Sequence, residues 1–93
     1  MIKIAVCDDD EKILGETLEL LRHYKKLPLT ADAYTSGEAL LAAGKKYDIL
    51  LLDIDMEGPN GIETARRIRE VDKEVKLIYV TNYSDYTIFA FGV

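Results

Sequence analysis

The sequence has no tryptophan, two prolines, a single cysteine (Cys7) and a single histidine (His23) among its 93 residues. One cysteine cannot close an internal disulfide, so a reducing cytoplasm is the expected location. One histidine excludes any site that needs two imidazoles, which removes the common zinc enzymes. No apolar stretch is long enough for a signal peptide or for the roughly 20 residues of a membrane span. Basic residues are in deficit, 12 against 17 acidic, for a formal net charge of -5. Such a chain repels phosphate backbones and anionic bilayers, so direct binding to nucleic acid or to a membrane is not expected. What remains open is oxygen-ligand chemistry in one small domain spanning residues 1–93, since a chain of this size with 48% hydrophobic content supports one core.

What is present is a repeated alternation. Ile2, Ile4 and Val6, with Ala5 and Cys7 between them, make a short apolar strand that ends in Asp8, Asp9 and Asp10. From Glu11 to Tyr24 the residues Ile13, Leu14, Leu18, Leu21 and Tyr24 recur at helical spacing, and Pro28 closes that region. Leu29, Ala31 and Ala33 alternate with Thr30, Asp32 and Tyr34, the pattern of a strand wet on one side at a sheet edge. Ser36 can cap a short helix carrying Ala39, Leu40 and Ala43, with Gly44 ending it. The unbroken run Ile49 to Leu52 stops at Asp53 and reads as a central parallel strand covered on both faces. Asn60 with Glu63 opens a third helix on which Ile62, Ala65, Ile68 and Val71 share a face and Arg66, Arg67 and Arg69 point outward. Leu77 to Val80 form a fourth strand ended by Thr81, and Ser84 or Asp85 can start a last helix through Phe89 and Phe91. This order predicts an α/β fold, a doubly wound parallel sheet with helices on both faces. Strand four is as apolar as strand three, yet nothing after it reads as a strand to cover its outer edge. The chain is therefore expected to recruit a substitute through dimerisation or strand exchange there.

In open parallel sheets, ligands gather outside the carboxyl ends of the strands. Asp8 and Asp9 end strand one, Asp53 ends strand three and Thr81 ends strand four, so three segments deliver oxygen atoms to one rim. Carboxylates packed together repel unless a cation neutralises them, and a hard ion with retained waters, Mg²⁺ or Mn²⁺, suits this set better than calcium, which needs more ligands. Asp53 is the candidate nucleophile, because the most buried strand fixes its position while its carboxylate faces the cleft; attack on phosphorus gives an acyl phosphate. Asp9 would anchor the metal, Asp8 would orient its waters and Thr81 would donate its hydroxyl to a phosphoryl oxygen. Each residue also has a plainer explanation: Asp53 as a loop cap, Thr81 as a β-branched strand residue, and acids before a helix as its caps. Asp10 is assigned that last role. Cys7 reads as a small buried hydrophobe and His23 as a surface residue at a helix end. Gly58 and Gly61 do not make a dinucleotide fingerprint, and a flexible turn is enough to explain them.

Taken together, IAVCDDDE, LLDIDMEGPNGIETARRIR and LIYVTNYSDYTIFAFGV resemble the response regulator receiver family of two-component signalling, in register along the whole chain. The closing YSDYTIFAFGV also resembles the subgroup with a LytTR-type DNA-binding output domain. The resemblance implies a flavodoxin-like sheet of order 2-1-3-4-5, present here as 2-1-3-4 with the fifth strand and fifth helix missing. It implies phosphorylation by a histidine kinase, with Asp53 as phosphoacceptor, Asp8 and Asp9 as the acidic pair, Asp55 giving a backbone carbonyl to Mg²⁺ and Thr81 as the switch hydroxyl. Asn82 stands at the position after the switch, usually small. Two departures stand out. Glu57 occupies the place of the family's loop proline, with Pro59 arriving later. The lysine and aromatic switch residue of strand five would lie beyond Val93, so the chain is expected to bind Mg²⁺ but to switch poorly.

Two rivals remain on the same residues. Asp53, Ile54 and Asp55 resemble the DxD of haloacid-dehalogenase-type phosphatases, although that family places DxD after its first strand and needs a downstream lysine. A pseudo-receiver would use the fold for protein contacts without phosphorylation, and Mg²⁺ affinity separates it from a working receiver.

Overall fold

A computed structural model of the chain describes residues 1–54, 56 and 60–80, and the backbone alone of 88–91. Its elements are β1 (Ile2–Cys7), α1 (Glu11–Arg22), β2 (Leu29–Tyr34), α2 (Gly37–Ala43), β3 (Ile49–Asp53), α3 (Gly61–Val71), β4 (Lys76–Val80) and β5 (Ile88–Phe91). They form one sheet of order β2-β1-β3-β4-β5. The first four strands are parallel and stand in the expected order 2-1-3-4.

Local chemistry sets the helix ends. The Asp10 carboxylate accepts from the amides of Lys12 and Ile13, Ser36 from that of Ala39, and Asn60 from that of Glu63. Each satisfies an amide that the first turn of a helix leaves without an intrahelical partner. Gly44 ends α2 with φ of 62°, a left-handed conformation open to glycine at little cost.

Side chains alternate across the sheet and divide the core in two. Ala5, Cys7, Leu50, Leu52 and Leu77 pack with Leu40, Ala65 and Val75. On the opposite face Ile4 and Val6 pack with Leu14 of α1, joined by half-buried Leu18, Leu21, Ile49 and Leu51. Strand three is thus sealed on one face and only partly covered on the other. Fully burying one such leucine stabilises the fold by about 1.5–3 kcal/mol.

Three expectations need correction. Residues 88–91 are a strand, not the end of a helix, and β5 runs antiparallel on β4, pairing Val80 with Ile88 and Leu77 with Phe91. An open apolar strand presents unpaired amides and carbonyls, and the run Ile-Phe-Ala-Phe supplies residues that favour strands. The outer edge of β4 is therefore occupied by the chain itself, which removes the ground for dimerisation or strand exchange at that edge. The proposed helix start at Ser84 or Asp85 lies outside the described residues. Second, α1 stops at Arg22, where the Tyr24 amide turns back to the Leu21 carbonyl, and Tyr24 is exposed. Third, Ile62 and Val71 are exposed while Thr64 and Ala65 are buried. Steps of three residues drift by roughly 60° around a helix, so a row of four cannot keep one buried face. Arg69 is not fully outward either: it is half-buried, with Nη1 donating to the Asp72 carbonyl at 3.3 Å.

Candidate metal and acidic site

Register places the acids. Cys7 of β1 pairs with Leu52 of β3, so the next residue of each strand, Asp8 and Asp53, falls side by side. The Asp8 amide donates to the Tyr34 carbonyl of β2 at 3.0 Å, fixing the chain where β1 ends. Asp53 remains in the ladder opposite Val80, and the Ile54 amide donates to the Val80 carbonyl at 3.3 Å. From the other direction the Gly61 amide donates to the Ile54 carbonyl at 3.1 Å, tying the start of α3 to the end of β3.

Carboxylate oxygens of Asp8, Asp9 and Asp53 all lie within 4.8 Å of one another. Asp8 is 4% exposed and Asp53 2%, while Asp9 faces solvent. Two unit charges at that spacing repel by roughly 3 kcal/mol in the intermediate dielectric of a protein rim. Burial raises the Asp8 carboxyl above the usual carboxylate range, and the charges of Asp9 and Asp10 push the same way. Hydrogen bonds from the Asp10 amide, at 2.9 Å, and with the Asp53 side chain oppose the rise. A buried pair with an exposed third member, all oxygen donors, fits a hard divalent cation with some of its waters kept, Mg²⁺ or Mn²⁺.

Beneath the acids, Cys7 is 1% exposed and its thiol donates to Met56 Sδ at 3.6 Å. Burial, followed by the charges of Asp8, Asp53 and Asp9, pushes the thiol up to about 12, so it stays protonated and unreactive. His23 is exposed, and its ring contacts Glu19 of α1. Asp55, Glu57, Pro59, Thr81 and Asn82 lie outside the described residues.

Two features escaped the sequence. Gly61 is not part of a flexible turn but the first residue of α3, packed against the Asp53 main chain. Tyr47 is buried and donates to the Asp32 carboxylate at 2.7 Å, while its oxygen lies 2.5 Å from the Tyr34 hydroxyl. This cluster pins edge strand β2 to the segment entering β3. Partners 13 and 15 residues apart on different elements leave no periodic signal.

Residues 4–92 match the response regulator receiver domain family. The chain belongs to that family. As a receiver domain it is 33% identical over 96 residues to the sensory transduction protein LytT of Oceanobacillus iheyensis, covering 99% of this chain and 39% of that protein. It is 31% identical to LytT of Bacillus anthracis, covering 100% of this chain and 38% of that protein. The receiver thus spans about two fifths of the length of these relatives. Among solved structures it is similar to the Thermotoga maritima response regulator TrrA in complex with Mg²⁺-BeF, with a TM-score of 0.79 and 35% identity, covering 92% of this chain and 74% of that one. A second structure holds TrrA in complex with the histidine kinase ThkA; there the TM-score is 0.77 at 35% identity, over 90% of this chain and 72% of that one.

Proposed function

We propose that this receiver accepts a phosphoryl group on Asp53 from the phosphohistidine of a sensor histidine kinase and relays that state to an output domain. The observation that carries the reading is the meeting of Asp8, Asp9 and Asp53 within 4.8 Å at the carboxyl rim of the sheet. TrrA, seen in one structure with Mg²⁺-BeF and in another with a histidine kinase, supports it. Asp9 and Asp53 would hold Mg²⁺ directly, Asp8 through water and Asp55 through its backbone carbonyl, with Thr81 as the switch hydroxyl. Bound there, the ion would neutralise charge shared between the acids and the transferring group.

An Asp53 carboxylate oxygen attacks phosphorus, the phosphorus–nitrogen bond to the donor imidazole breaks, and the imidazole leaves after taking a proton. The buried strand end holds Asp53 in place for that attack, so the protein's contribution is position and a prepared field. The receiver promotes its own phosphorylation and dephosphorylation without turning over a diffusible substrate. The match to LytT sensory transduction proteins goes with a LytTR-type DNA-binding output in the parent protein, and a lone cysteine suits a cytoplasmic setting.

Incubation with acetyl phosphate and Mg²⁺ should add the mass of one phosphoryl group, and Asp53→Asn should abolish the gain. A mass gain that survives Asp53→Asn, or repeated hydrolysis of an aryl phosphate, would overturn the assignment, the latter in favour of a phosphatase.

A further inference from the structure

A Cβ on Gly61 would lie 2.2 Å from the Asp53 carbonyl oxygen, 2.9 Å from its carbonyl carbon and 3.0 Å from Cα of Ile54. All three are backbone atoms, so no change of rotamer relieves the overlap. The close approach is held from both sides: the Gly61 amide donates to the Ile54 carbonyl at 3.1 Å, and the Ile54 amide donates to the Val80 carbonyl of β4 at 3.3 Å. The peptide that follows the nucleophile is clamped between β4 and the first turn of α3.

We propose that Gly61 is a positioning residue of this site: by lacking a Cβ it lets α3 seat on the Asp53 main chain, and so sets the spacing of the three carboxylates and the size of cation they accept. The inference rests on the metal-dependent phosphoacceptor reading above. Any L side chain at 61 must drive the Asp53 main chain and α3 apart by at least about 0.8 Å to restore an allowed contact. Mg²⁺ demands near-octahedral oxygens at about 2.0–2.1 Å, whereas Ca²⁺ accepts about 2.3–2.6 Å in looser arrangements. A displaced Asp53 therefore penalises the smaller ion more. Loss of fold stability alone would weaken both ions together.

The test compares the wild type with Gly61→Ala and Gly15→Ala. Gly15 lies within α1, where an added Cβ meets nothing within 4 Å. Circular dichroism follows the fold and calorimetric titration measures Mg²⁺ and Ca²⁺ affinity separately. The expected result is a folded Gly61→Ala whose Mg²⁺-to-Ca²⁺ affinity ratio falls on the order of tenfold, with the ratio unchanged in Gly15→Ala. An unchanged ratio in folded Gly61→Ala overturns the proposal while leaving the metal site intact. Loss of the cooperative fold in Gly61→Ala also overturns it, since Gly61 would then serve global packing. A wild type that binds neither ion sinks the metal-site reading itself.

Discussion

Replacing Asp8 by asparagine should make the metal-free receiver more stable and the metal-loaded one less so. Asp8 is 4% exposed, and its oxygen lies within 4.8 Å of those of Asp9 and Asp53. The Asp8 and Asp9 charges at that spacing repel by roughly 3 kcal/mol before screening, reduced because Asp9 faces solvent, while the asparagine amide can still donate to the Asp53 side chain with which Asp8 shares a hydrogen bond. Asparagine keeps an oxygen to accept from the Asp10 amide, so that 2.9 Å bond survives. After allowance for screening and relaxation, the expected gain is about 1–2 kcal/mol in urea unfolding at neutral pH without Mg²⁺. The folded-state Asp8 carboxyl titrates above its unfolded value, chiefly through burial. Its ionised form therefore costs folding energy: the wild type is most favoured below the unfolded value and loses that advantage as pH rises through the folded one. The gap between variant and wild type should open over that same rise. Metal reverses the order, because a ligand at 100 times its Kd stabilises the wild type by about 2.7 kcal/mol, and the variant, short of one carboxylate, gains less. Equal stabilities at neutral pH without metal, or the same Mg²⁺-induced gain in both proteins, would refute the reasoning.

The Cys7 thiol, buried and held up to about 12, should resist alkylation in the folded protein even at mildly alkaline pH and react fully in urea; labelling followed by mass spectrometry checks it. Tyr47→Phe removes the bond to Asp32 and the contact with Tyr34 while keeping the ring in the core. It should cost about 1–2 kcal/mol in denaturant unfolding, with acetyl phosphate labelling of Asp53 retained.

Elements with a local cause were legible in the sequence. The runs Ile49–Leu52 and Leu77–Val80 became β3 and β4 because strands buried in a parallel sheet need apolar residues at successive positions. Asp10, Ser36 and Asn60 cap α1, α2 and α3 because a capping side chain needs only its own next residues. The reading broke down where two structures suited the same residues. In YSDYTIFAF, an acid near the start and apolar residues further on satisfy a helix start and an edge strand alike. The vacant hydrogen bonds of β4 favour the strand at Ile88–Phe91, and those bonds come from residues at the other end of the pairing. The α3 face was misjudged for a geometric reason: counting in threes ignores the drift that exposes Ile62 and Val71.

The acidic site was more legible than its support. Asp8, Asp9 and Asp53 stand out because they follow the ends of separate apolar runs, and parallel strands put their carboxyl ends at one rim whatever the loops do. The Asn60 and Glu63 capping pair brackets Gly61 in the first turn of a helix, but nothing in the sequence marks its close approach to Asp53, since that is a relation between backbones that composition does not record. The same holds for Tyr47, whose partners Asp32 and Tyr34 come near only when β2 lies alongside β1. The separation has a physical origin. Charged groups that bind a cation must be drawn from few residue types and set at element ends, so they can be seen one at a time. The contacts that hold them at binding distance are ordinary backbone and core packing, which acquires meaning only once the chain is folded.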